Sequence, residues 1–478
     1  MPFQSLPTEI LGMILRSIDT PKDLDAAVRA YSTWFRIFHT APARTLSEVL
    51  RNSVHPAIIG DMIVAAKCPR IGRVLGTDFA KLYGDYTADI VTFTEDLLQN
   101  QPRLRRCPEY MPGLTSLSRL IVRTSLLADD FFRRAISALA RPRGGCANNN
   151  EDGNSFAPVR REFDNLSHTE RARLQRAFAR LETYIEVFSS FNPRGREQSR
   201  QILQNLEPWE VEEMSCVYHH FVQKLGKKVC EEQDRLVDRV LGHHSTGVDI
   251  DDEVLVATEC GDGFSIRSVN SQKNEMTTFE PSKDHSFMLF FFSRDYNSSK
   301  LADFDGIISR GMGDLWDLCV KLEQGGESCP FRKITGSIFA SLPETIDRLA
   351  SPLVDTVRPK LSDFTDHPSQ PNMGYYAFKR STNERYLGVY RSDSWAVRTM
   401  GYVFWDLDRL RQPVVWAKLR EASKMTGDHA RAAYDPSLHT SAEEKLQGIR
   451  VSVRLMEELS VEEYRDRHPS SYNRIPLV

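Results

Sequence analysis

The sequence predicts a mainly α-helical protein. A three-helix module at the N-terminus is followed by a multi-helical region with long loops. Two observations carry this. Apolar residues recur at three- and four-residue spacing through most of the recognisable segments. In the first quarter, Pro7, Pro21, Pro42 and Pro56 each precede such a pattern, and proline suits a first helical turn, where its missing N–H has no intrahelical partner to lose. No repeat of 20–50 residues is present, so solenoid and propeller arrays are not expected.

The elements follow in order. The first helix starts at Pro7, with Glu9 placed where a negative charge suits the helix dipole. Ile10, Leu11, Ile14, Leu15 and Ile18 make its apolar band. The second starts at Thr20-Pro21, with Asp23 near its first amides and Leu24, Ala27, Val28 and Tyr31 on one face. Trp34, Phe35 and Phe38 add large rings. A segment of about 45 residues cannot bury so much apolar surface alone and needs the rest of the chain or a partner. Ile58, Ile59, Met62 and Ile63 then form one helical face, and further helical patterns cover 79–98 and 114–139.

Residues 141–158 lose the apolar pattern to Gly, Asn and Asp, which predicts a linker or disordered insertion. Beyond it, Ser167 and Glu170 have capping-box spacing. Leu174, Phe178, Leu181, Ile185 and Phe188 continue as a stripe, and Val211, Met214, Tyr218, Phe221 and Leu225 form another. Both segments read as amphipathic helices facing a core. The polar stretch 243–285 is expected to be a long surface loop, and 287–292 is either a buried helix or a strand. Helices are expected at 313–322, 345–349, 394–410 and 443–459, with loops at 323–332, 359–375 and 426–440. The predicted domains are 1–52, 53–141, the linker 142–158, and a C-terminal helical domain over 159–478.

Composition narrows function. The 62 basic and 65 acidic residues nearly cancel, at a net charge of −3, so electrostatics gives no case for nucleic acid or an anionic membrane as partner. No apolar run approaches the ~18 residues of a membrane span. Glu9 interrupts the first apolar stretch and no basic segment precedes it, so no secretory signal is expected. The eight cysteines are scattered without a C-x-x-C pair, as for reduced thiols in a cytoplasmic or nuclear protein.

Phosphate-loop, nucleophile-elbow and zinc-protease motifs are missing, and "GDGF" at Gly261 and "GMGDLW" at Gly311 do not extend into a dinucleotide fingerprint. Asp249, Asp251 and Asp252 lack the Gly and Glu of a calcium loop. The pairs Asp303/Asp305 and Asp406/Asp408 read as caps and solvated helix faces. His219–His220 and His243–His244 are adjacent pairs, and helical neighbours point about 100° apart, which makes one pair a poor clamp for one metal. No catalytic residue, cofactor or metal is assigned. An enzyme would need residues converging from distant loops.

The opening stretch resembles the F-box. Leu6, Pro7 and Glu9 match the family's Leu-Pro-x-Glu, Ile14 and Ile18 its aliphatic positions, Asp19 its acidic turn, Asp23-Leu24 the entry to its second helix and Trp34 its tryptophan. The match needs one extra residue near Thr20. Ala30-Tyr31 stands where Val-Cys is frequent, Ser32-Thr33 where a Lys/Arg pair is, and Arg44 where a second tryptophan is. The resemblance covers 6–50. Segments 170–178, 208–213 and 401–406 also resemble fungal F-box-like proteins with an uncharacterised C-terminal region.

The resemblance implies an adaptor. Its N-terminal module would dock a Skp-family protein of a cullin-based ubiquitin ligase, while the remaining chain selects a protein substrate. No catalytic residue is required, because other subunits transfer ubiquitin. The residues it implicates in protein binding are Leu6, Pro7, Ile10, Ile14, Leu24 and Trp34. The alternative is a non-catalytic helical scaffold that has lost ligase docking.

Overall fold

The computed structural model describes residues 6–68, 89, 91–140, 165–188, 202–203, 205–207, 209–225, 253–260, 263–270, 275–279, 312, 315 and 395–423. Helix dominates among them. The chain divides into two compact units. The first is a helical body holding the described residues up to 222 together with 312, 315 and 395–423; the second holds the described strands.

The body opens with α1 (Thr8–Arg16), α2 (Pro21–Ala30), α3 (Ser32–Thr40) and α4 (Pro42–Asn52). Pro21 and Pro42 sit in first turns as expected. The Thr20 hydroxyl accepts from the Asp23 amide at 3.1 Å, satisfying one of the free donors at the start of α2. Leu11 and Leu15, one turn apart, form the inner edge of α1. Helix α1 packs on α3 and α4, and α2 packs on the same two. Asn52 Nδ2 donates to the carbonyls of Arg16 and Ile18 at 2.8 and 3.3 Å, tying the end of α4 to the end of α1.

Residues 8–52 therefore hold four helices where three were predicted. Tyr31 is the reason: its extended backbone (φ −148°, ψ 126°) ends α2 and starts α3, splitting a pattern that reads as nearly continuous in sequence.

A 3₁₀ turn at Pro56–Ile58, whose Ala57 amide donates to His55 Nδ1 at 3.2 Å, leads into α5 (Ile59–Lys67). Ile58, Met62 and Ile63 are buried as their spacing predicts, and Ile59 is half-buried. Helix α6 covers 91–98, within the predicted 79–98 pattern, and α7 is the short Pro102–Arg105. Helix α8 (Met111–Ala140) runs 30 residues with one buried side, from Leu114 through Leu127 and Phe131 to Leu139.

Helices α9 (His168–Phe188) and α10 (209–225) form the centre. The predicted stripes are buried, Leu174, Phe178, Leu181 and Ile185 on α9 and Val211, Met214, Tyr218 and Phe221 on α10. The amphipathic reading fails on the other side. Arg173, Gln175, Arg176, Glu182, Thr183 and Glu186 of α9 are buried too, as are Glu212, Glu213, His219 and His220 of α10. These two helices are enclosed all round, with their polar faces turned inward rather than to water.

The predicted helix over 394–410 is three short pieces: α11 (Trp395–Thr399), a 3₁₀ turn at Tyr402–Phe404, and α12 (Leu407–Arg411), after which α13 (Pro413–Ala422) follows. Gly401 breaks the run with a left-handed φ of 64°. A Cβ there would lie 2.6 Å from Phe131 Cε1, so the position needs glycine for both conformation and space.

In the second unit, the predicted surface loop 243–285 is corrected. It contains β1 (Glu253–Cys260), β2 (Gly263–Asn270) and β3 (Glu275–Phe279), an antiparallel meander in sequential order. Cys260 pairs with Gly263, which leaves two residues for the first hairpin connection. The Val-Leu-Val run at 254–256 and the Phe-x-Ile run at 264–266 are β-rich, a signal the loop reading passed over.

The linker 142–158, the segments 287–292, 345–349 and 443–459, the loops 323–332, 359–375 and 426–440, the 313–322 helix apart from Leu315, the pair His243–His244, and the aspartates at 249, 251, 252, 303 and 305 lie outside the described residues.

Candidate functional site: an exposed apolar edge on the N-terminal helices

Helix α1 has more apolar residues than one side can bury. With Leu11 and Leu15 turned inward, the helical period places Met13 opposite them and Ile10 and Ile14 to one flank, while Leu6 and Pro7 lie just ahead of the first turn. Pro7 is exposed, Ile10 is 41% exposed and Met13 58%, while Leu6 and Ile14 are half-buried at the edge. On α3, Phe35 is 51% exposed and rests its ring on His39 at a centroid distance of 4.4 Å. Gly12 faces the other way, where an added Cβ would lie 3.7 Å from Ile37 Cγ2, so α1 and α3 approach closely there.

Of the six predicted protein-binding residues, Ile10 and Ile14 lie on α1, and Leu6 and Pro7 immediately precede it. Trp34 is half-buried on α3. Leu24 is 4% exposed, the one buried residue of α2, a helix that packs on α3 and α4. Met13 and Phe35 are missing from the predicted set. The signal for Met13 is present in the sequence, one turn beyond Ile10 on the same face.

The second concentration of chemistry is the buried polar seam between α9, α10 and 395–409. The capping box forms as predicted: the Glu170 amide donates to Ser167 Oγ, and the Ser167 amide donates to Glu170 Oε2, both at 3.1 Å. The same Glu170 carboxylate accepts from the Asp406 amide at 2.9 Å and from Arg409 Nε and Nη2 at 2.8 Å. Asp406 in turn accepts from Thr169 Oγ1 at 3.0 Å and Arg173 Nη2 at 2.9 Å. Asp406 stands at the N-cap position of α12, but its carboxylate makes no cap hydrogen bond there and pairs with Arg173 instead; Asp408 is exposed, as expected.

Deeper in, Arg176 clasps Glu213 with Nη2 at 2.7 Å from Oε1 and Nε at 3.2 Å from Oε2. Arg180 bridges Glu210 at 2.8 Å and Asp61 at 3.2 Å. Arg398 donates to both oxygens of Glu212 at 3.0 Å, and Tyr402 donates its hydroxyl to the same carboxylate at 3.2 Å.

The electrostatics follow from these contacts. Burial works to raise the Glu210 carboxyl, but the Arg180 and Arg176 guanidiniums overcome it and hold the group at about 2. Burial pushes Glu213 up, against the pull of Arg176. Burial, with Glu212 adding to it, raises the Cys216 thiol well above its ordinary value. Arg398 Nη1 lies 3.0 Å from His219 Nε2, and a guanidinium can only donate, so that ring nitrogen accepts. His220 points elsewhere, toward Asp130 at 3.2 Å and the ring of Phe131 at 5.2 Å. The adjacent histidines thus serve different partners. Among the described residues no group of three or more His, Cys, Asp or Glu could hold a metal ion. The seam consists of matched charges that fasten helices together.

No protein family, no curated protein and no solved structure matches the chain. No helix among the described residues is long and apolar enough to cross a membrane.

Proposed function

We propose that the chain is a substrate-recognition adaptor of a cullin-based (SCF-type) ubiquitin ligase, and that the outer edge of α1 docks its Skp-family protein. The observation that supports this reading is the stripe of Pro7, Ile10 and Met13, apolar and exposed on the stretch that resembles an F-box. An exposed apolar patch marks an interaction site when it is contiguous, and apolar anchors at such interfaces contribute about 2 kcal/mol or more each, about thirtyfold in affinity. In this reading the chain holds no catalytic residue and no cofactor, its substrate is another protein, and it works in the cytoplasm or nucleus. Leu24 acts indirectly, by setting α2 against its neighbours.

The test is co-purification with a recombinant Skp-family protein. Replacing Leu6-Pro7 by Ala-Ala, or Ile10→Asp, abolishes recovery while the helical circular dichroism is kept. Lys22→Ala leaves recovery nearly intact, since Lys22 is exposed and such charges contribute about 0–1 kcal/mol. Undiminished recovery with the Ala-Ala variant rules this interface out.

A second reading, a helical scaffold without ligase docking, draws on the packing of α4 against α8, which builds the N-terminal helices into the same body as the rest. Failure of the unmutated chain to recover the partner favours it.

A further inference from the structure

We draw no further inference here: the strongest candidate, the outward face of α8 where Val122 and Leu126 stand exposed near Arg119 and Arg133, is an unpartnered apolar face of two side chains, and nothing in the structure shows what covers it.

Discussion

Removing the Glu213 carboxylate tests whether the polar seam holds the body together. Glu213 is fully buried and Arg176 is 2% exposed, joined by the two-point contact described above. In Glu213→Ala the Arg176 guanidinium stays buried and loses that contact, while the Glu210 Oε1 that remains beside it lies 3.8 Å from Nη1 and is shared with Arg180. Deleting one partner of a buried pair costs about 3–5 kcal/mol, because the remaining charge is poorly compensated. At about 2–4 °C per kcal/mol for a large domain, melting should fall by roughly 6–20 °C. Replacing both partners with apolar groups, Arg176→Met with Glu213→Leu, removes the charge altogether. That double variant should melt well above Glu213→Ala, since contacting residues are not additive. The assay is thermal unfolding by far-ultraviolet circular dichroism on the parent, both single variants and the double. A Glu213→Ala variant that melts with the parent, or a double variant whose loss equals the sum of the singles, would refute the reasoning.

The acid limb of stability should depend on Glu210. Its carboxyl is held at about 2 in the fold against 4.5 ordinarily, so its contribution, about 3 kcal/mol, is complete above about pH 4.5 and is lost as pH falls toward 2. Glu213 shifts the opposite way, so the measurement is the difference in denaturation free energy between parent and Glu210→Gln across that window; a difference that does not change with pH contradicts the assignment. Gly401→Ala should cost roughly 2–4 kcal/mol, combining left-handed strain with the clash on Phe131, and a urea midpoint equal to the parent's would count against it. Phe178→Ala should cost roughly 3–5 kcal/mol, since the ring is fully buried and packs edge-on to Phe221 at 5.6 Å; overlaid thermal melts would show that α9 is not the centre of the body.

Local features are legible in the sequence. The Ser167–Glu170 box involves residues three apart, and a helix brings them into contact wherever it lies. The stripes of α9 and α10 name their inward sides because apolar spacing reports which side avoids water. The same spacing does not report what covers the opposite side. Arg176 and Glu213 are 37 residues apart and Glu212 and Arg398 are 186 apart, so no periodicity within either segment indicates that these charges meet out of water. Tyr31 illustrates a nearer limit, where one extended residue inside an apolar pattern turns one expected helix into two.

The mainly helical class, the first turns at Pro21 and Pro42 and the apolar side of each central helix could be read without a structure, because these depend on residues within a turn or two of one another. The tertiary structure alone decided the fate of chemically similar leucines and isoleucines. Leu24 is enclosed on α2, which packs on α3 and α4, whereas Ile10 stays at the surface of α1, whose buried residues are Leu11 and Leu15. It also decided that the charged sides of α9 and α10 lie inside, since an ion pair can replace water only when its partner arrives from another part of the chain.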